Sequence, residues 1–275
     1  MTSSQEARIA PRSGDYDSGQ KLRIGSLFSG IGGLELGLEW AGVGRTVYQV
    51  EQDEFCRERL AARWPGVPQW GDVTELNFDE LPSCDVLVGG FPCQGVSVAN
   101  TTSRTGLHDP RSGLWSYMAG AIEAQRPQWV VVENVAHGWR KWLPSVRRDL
   151  GGLGYETLPI QLEARQCGQR HVRRRLFVLA HADGFKLRLN EQRSAPGRSR
   201  AVRDQGQAEP LVSRQPRGWQ TQPGLLAGAH GLSRGLAGPT FRAIGNAVVP
   251  QCAEVVGHVI RELIEAGAAA RRDDA

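Results

Sequence analysis

The chain has 275 residues, 40% of them hydrophobic, and a formal net charge of +4; that is apolar material enough for one large domain, or a large one with a small companion. Its five cysteines form no CxxC pair, which argues against a zinc site and a disulfide framework and points to a reducing cytoplasm, with room for one reactive thiol. No run of 18 apolar residues is present, so no membrane-spanning helix is expected.

The polar residues 1–20 lack the apolar stretch of a signal peptide and read as a disordered tail. Residues 21–27 then read as a short strand running into a Gly-rich turn, and 33–40 as a short helix with Leu34 and Leu38 four apart. Residues 45–50 suggest a second strand. Asp53 can cap a helix with Cys56, Leu60 and Trp64 on one face. Residues 84–88 form an apolar run bounded by Gly89 and Gly90, as a buried parallel strand does. A helix starting at Ser112 or Gly113 carries Leu114, Tyr117, Met118, Ala121 and Ile122 at helical spacing and ends at Pro127. Strands follow at 129–132, 155–162 and 175–180, and a last helix at 250–266 presents Val255, Val256, Val259, Ile260, Leu263 and Ile264. The β-α-β order predicts an α/β fold with a mostly parallel sheet covered on both faces by helices. Residues 182–240 break the pattern and hold nine Arg or Lys against four Asp or Glu. Such a stretch suits a polyanion such as nucleic acid, or is a solvated loop.

Ligands of open α/β sheets bind beyond the carboxyl ends of the strands, where the chemistry-bearing residues of this chain fall. Phe28, Ser29, Gly30, Gly32 and Gly33 make a turn fit for a nucleotide-like ligand, or simply a tight turn; the full GxGxxG is absent, because Glu35 stands at its third glycine. Glu51 can accept from ribose hydroxyls and Asp72 from an exocyclic amine, although each could instead cap a helix. Together with the turn they point to a ribose-plus-adenine ligand. Cys93 lies between Pro92 and Gln94 at a strand end, where a thiol would meet a substrate. Glu133 leaves an apolar strand partly desolvated, which favours its protonated form and a proton-donor role, unless it and Asn134 merely cap a helix. Arg173 and Arg175 alternate and so share a face; their guanidinium groups suit phosphates and base edges, although a solvated charge run is the ordinary reading.

In this order, these motifs resemble the C5 cytosine-specific DNA methyltransferases. The turn at 28–33 resembles the cofactor turn, Pro92-Cys93-Gln94 the nucleophile loop, and Glu133-Asn134-Val135 the motif of the catalytic glutamate. Residues 171–175 resemble the family's Gln-x-Arg-x-Arg, with His171 in place of Gln, and residues 245–250 the closing motif; 109–114 resemble the segment after a mobile loop. Val96 stands where the family usually has Phe.

The resemblance implies a Rossmann-like methyltransferase fold that binds S-adenosyl-L-methionine and no metal. It implies a flipped cytosine attacked by Cys93, with Glu133, Arg173 and Arg175 completing the catalytic set. Gln52, Val73, Gly89, Leu114, Asn246 and Ala247 would join the turn, Glu51 and Asp72 around the cofactor. Gln94, Ser97, Arg104, Arg173 and Arg234 would meet DNA, and residues 96–108 would close over it. Residues 21–181 would form the catalytic domain, 182–238 a short target-recognition segment and 239–267 the piece that completes the domain, with 268–275 a tail. The expected partner is double-stranded DNA, with no membrane; a cognate restriction endonuclease is a candidate second partner, and the protein is read as a bacterial or phage-encoded monomer associated with the nucleoid in the cytoplasm. An RNA cytosine methyltransferase and a catalytically reduced DNA-binding relative are the alternatives. An NAD-dependent oxidoreductase would leave Pro92-Cys93-Gln94 unexplained.

Overall fold

A computed structural model describes residues 21–92, 113–137, 139–182, 240 and 243–273. Cys93, Gln94, Ser97, Arg104, Arg234 and nearly all of the segment 182–238 lie outside the described residues.

Seven strands form one sheet in the order β3-β2-β1-β4-β5-β7-β6. They are β1 (Leu22–Leu27), β2 (Gly44–Val50), β3 (Gln69–Trp70), β4 (Val86–Gly89), β5 (Trp129–Val135), β6 (Glu156–Glu163) and β7 (Arg174–His181). The first five are parallel neighbours. The helices are α1 (Gly33–Trp40), α2 (Glu54–Arg63), α3 (Trp115–Gln125), α4 (Trp139–Gly152) and α5 (Pro250–Asp273).

The expectation of β-α-β repeats holds through β6, which runs parallel to β5 after α4, and fails only at β7. β7 runs antiparallel to both β5 and β6. The reason is the connection. A parallel return needs a crossover of about a dozen residues or more, whereas residues 164–173 hold only the 3-10 turn Ala164–Cys167. β6 therefore reverses directly into β7, which slots between it and β5. Helix α4 was not foreseen. It buries Trp142, Leu143, Val146 and Leu150, although Pro144 lies inside it and Arg140, Lys141, Arg147 and Arg148 crowd its sequence. The last helix runs to Asp273 instead of stopping at 266.

Strand alternation builds two cores. Leu27, Leu87, Val130 and Val132 face α3 and α4, with Met118, Ile122, Trp142 and Leu150. Ile24, Val86, Val88 and Val131 face α1 and α5, with Leu34, Leu38, Ala253, Val256 and Ile260. Small residues let α5 close on α1: a Cβ on Gly37 would stand 2.3 Å from the Pro250 carbonyl oxygen, and one on Gly257 2.5 Å from Ala41 Cβ. The stretch Ala243–Ala268 is long and apolar enough by composition to cross a membrane. No such span was expected, and the burial of its Cys252, Ala253, Val256 and Ile260 against the sheet is that of a core helix.

Candidate active site

The parallel strands end level with one another. Leu27 lies beside Val50 and Gly89, and Gly89 beside Val132. One step on, Phe28, Glu51, Gly90 and Glu133 line the carboxyl edge of the sheet.

The turn after β1 needs unusual backbone. Phe28 (φ 55°), Gly30 (φ 57°) and Gly32 (φ 84°) are all left-handed, and the two glycines adopt this freely. The Ser29 N–H donates to the Val50 carbonyl at 3.1 Å and the Gly32 N–H to the Ser29 carbonyl at 2.9 Å. Nothing lies within 4 Å of where a Cβ on Gly30 would stand, so that face is open to a ligand. Gly33 is closed by contrast: a Cβ there would meet the Val248 carbonyl oxygen at 2.2 Å. Gly33→Ala is accordingly expected to lever residues 247–249 off the turn and to cost roughly 1–3 kcal/mol. An unchanged urea-unfolding midpoint would contradict that packing.

Glu51 closes the turn from the next strand. Its Oε2 accepts from the Gly30 N–H at 2.7 Å and its Oε1 from the Asp53 N–H at 2.9 Å. Each carboxylate oxygen retains acceptor capacity. Asp72 accepts from the Thr74 N–H at 2.9 Å and from Gln52 Nε2 at 3.1 Å; Asp53 caps α2 as expected, and Asp72 also caps a helical turn, the alternative role that the sequence allowed for it. Val73 is buried, and Leu114 precedes α3 with its side chain packed on the core. Gly89 must be small, since a Cβ would stand 2.9 Å from Met118 Sδ. Asn246 is exposed at the end of a helical turn, residues 243–246, and Ala247 follows it.

Glu133 sits in β5 on the α1–α5 face, with 8% of its side chain exposed. Arg175 Nε lies 2.6 Å from its Oε1. Burial nevertheless outweighs the Arg175 and Arg173 charges and lifts the carboxyl to about 7. A Cβ on Gly90 would stand 3.0 Å from Glu133 Oε2, so glycine keeps β4 and this carboxyl close. The group can hold or release a proton near neutrality, beside the exit from β4 at Gly90.

Arg173 and Arg175 both act electrostatically on Glu133, while the intervening Arg174 turns away to Glu163 at 3.0 Å. Their partners differ. Arg173 Nη2 donates to the carbonyls of Gly245 at 2.7 Å and Ala247 at 2.8 Å. It clasps the closing segment to β7, a role that its spacing did not disclose. Asn134 caps no helix: its Nδ2 donates to the Phe91 carbonyl at 3.0 Å. Phe91 is itself wedged between Trp115 and Trp142, with ring centroids 5.6 and 5.9 Å away. The exit from β4 is thus fixed on one side by Asn134 and on the other by aromatic packing.

A buried acid that titrates near neutrality, the exit of β4 and a turn with open space at Gly30 share one edge. The family profile described as "C-5 cytosine-specific DNA methylase" matches residues 22–212. The chain belongs to this family. The C-5 methylase relatives include the type II methyltransferase M2.BsuMI of Bacillus subtilis (strain 168), 36% identical over 167 residues, or 58% of this chain and 42% of the relative. The type II methyltransferase M.HhaI of Haemophilus parahaemolyticus is 29% identical over 170 residues, 60% of this chain and 51% of its own. The matched stretch thus spans about half the length of these relatives. Among solved structures, S. pombe Dnmt2 methyltransferase aligns with a TM-score of 0.49 and 22% identity over 58% of this chain and 51% of its own.

Proposed function

We propose that this C-5 methylase transfers a methyl group from S-adenosyl-L-methionine to C5 of a cytosine flipped out of double-stranded DNA, through a covalent Cys93 adduct. The observation that carries the reading is Glu133, a carboxyl lifted to about 7 and braced by Arg175 where β4 leads toward Cys93.

The cofactor fits what the edge offers. Gly30 leaves the turn open, and Glu51 retains acceptor capacity for a ribose diol beside it. Ser29, Gly32 and Gly33 shape the turn; Asp72, Gln52 and Val73 lie along the next connection, and Gly89, Leu114, Asn246 and Ala247 complete the proposed set. S-adenosylmethionine, when bound, supplies an electrophilic methyl group.

Flipping the base costs a few kcal/mol. The Cys93 thiolate then adds to C6 of the ring while Glu133 donates its proton to N3, so that electron density builds at C5. After methylation the C5 proton leaves to a base, the C6–sulfur bond breaks to regenerate the thiolate, and N3 returns its proton to Glu133. Arg175 holds Glu133 in register, and Arg173 locks the closing segment that flanks the site. Gln94, Ser97, Arg104 and Arg234 would meet the duplex, with the basic segment 182–238 neutralising phosphates and reading bases. In this reading the protein is a bacterial or phage-encoded cytoplasmic monomer associated with the nucleoid, with a restriction endonuclease as its cognate partner.

DNA duplexes carrying 5-fluorocytosine test the reading, because C5 cannot lose fluorine and the adduct persists. A denaturation-resistant protein–DNA band that requires S-adenosylmethionine and vanishes in Cys93→Ala is the expected result. No band with any duplex, or methyl transfer to tRNA alone, would overturn it.

A further inference from the structure

Glu35 has no part in the chemistry above, yet it is fully buried in the first turn of α1. Ser26 and Gln49 are also 0% exposed, and Ser29 is 8% exposed. The four residues come from β1, the turn after it, α1 and β2, and they meet under the turn. Ser29 Oγ donates to Ser26 Oγ at 2.9 Å, and Gln49 Nε2 reaches Glu35 Oε1 at 3.5 Å. Both serine hydroxyls also interact with the Glu35 carboxyl. Glu35 Oε2 and Gln49 Oε1 are buried with no hydrogen-bond partner among the described residues.

We propose that Glu35 is a positioning residue for the turn at residues 28–33, gathering Ser26, Ser29 and Gln49 into one buried polar cluster against its underside. The inference rests on reading that turn as the S-adenosylmethionine site.

Burial pushes the Glu35 carboxyl up from its ordinary range, and no charged side chain is among its hydrogen-bond partners. Its protonated form would bring an O–H donor into a cluster where Glu35 Oε2 and Gln49 Oε1 have no partner. A buried polar cluster is rigid when satisfied and costly when not. The lever is Ser29. Its side chain belongs to the cluster, its N–H is bonded to Val50, and its carbonyl accepts from Gly32. Fixing Ser29 therefore fixes both flanks of Gly30, whose own N–H is held by Glu51. Removing the cluster frees the turn without touching Glu51.

The test is a calorimetric titration of S-adenosylmethionine into the full-length chain and its E35A, E35Q and S29A variants, with urea unfolding run on each. E35A is expected to bind about tenfold more weakly, the loss of one buried hydrogen-bonding group. The neutral isostere E35Q is expected to stay within about threefold of the parent, because an amide also brings a donor. In turnover assays the KM for S-adenosylmethionine should rise in E35A while kcat at saturating cofactor holds. Difference infrared spectra of the parent against E35Q should show a neutral-carboxyl C=O band at neutral pH. Parental affinity in a folded E35A, an E35Q as weak as E35A, or a carboxylate band in place of the neutral one would each overturn the proposal. Should E35A fail to fold, S29A carries the same comparison, and parental affinity there overturns it. A parent chain that binds no S-adenosylmethionine would remove the cofactor reading and this proposal together, whereas the variant outcomes bear on Glu35 alone.

Discussion

Serine at position 93 is expected to abolish methyl transfer while S-adenosylmethionine still binds. The substitution exchanges one sulfur for one oxygen, so packing and cofactor contacts change little. What changes is the nucleophile. A thiol ionises at about 8.5 and its thiolate is intrinsically reactive, whereas a serine hydroxyl needs a strong base to act at all. The proposed mechanism requires Glu133 as an acid and assigns no strong base to that hydroxyl. We expect a loss on the order of 10⁴-fold or more, equivalent to more than about 5 kcal/mol of barrier. Radiolabelled methyl transfer to duplex DNA measures it, beside a cofactor titration. Turnover near the parental rate in Cys93→Ser would remove the covalent step from the mechanism.

Glu133→Gln has the second largest expected effect. Glutamine is the same shape and can still accept from Arg175, but it has no proton to pass to N3. General acid catalysis contributes about 10²–10⁴-fold, so single-turnover chemistry should slow by that order while DNA affinity changes far less. The pH dependence gives a second check. The carboxyl is lifted from 4.5 to about 7, so the acid form is depleted as pH climbs above about 7 and the parental rate should fall there. The variant should lose that limb. Stability carries the same signature with a defined sign. The folded chain holds a proton that the unfolded chain releases between these two values, so the group's contribution is full below about 4.5 and lost as pH rises through about 7. The rise corresponds to roughly 3 kcal/mol at most, and urea midpoints of Glu133→Gln should lack that slope. Equal slopes in parent and variant would contradict the burial of this acid.

The first two-thirds of the sheet was legible because each strand–helix unit there carries its own punctuation. Gly30 and Gly32 mark the turn after β1, Asp53 caps α2 through Cys56 N–H, and Gly89-Gly90 closes β4. The orientation of β7 was not legible, because an apolar run such as Leu176–Ala180 has the same composition in either direction; only the absence of a helix between β6 and β7 decides it. α4 was hidden by Pro144 and its four cations, although Trp142, Val146 and Leu150 lie four apart on one face. The candidate site divides in the same way. Glu133, Arg173 and Arg175 stand out by type and position. Glu35 does not, since an acid beside leucines in a helix ordinarily marks a solvated face. Nor could spacing show that Arg173 Nη2 reaches the Gly245 and Ala247 carbonyls, a contact between residues far apart in sequence.

The reversal of β7 also fixes where the chain departs from the sheet and where it returns. The chain leaves the sheet at His181, paired with Trp129 at the foot of β5, and re-enters at Ala247 beside Arg173 at the head. Strand length sets the gap at roughly 26 Å, which about eight extended residues can bridge. Residues 183–239 exceed that several times over. The scaffold can therefore carry a connection far longer than the minimum with little added strain, since closing a longer loop costs only logarithmically more.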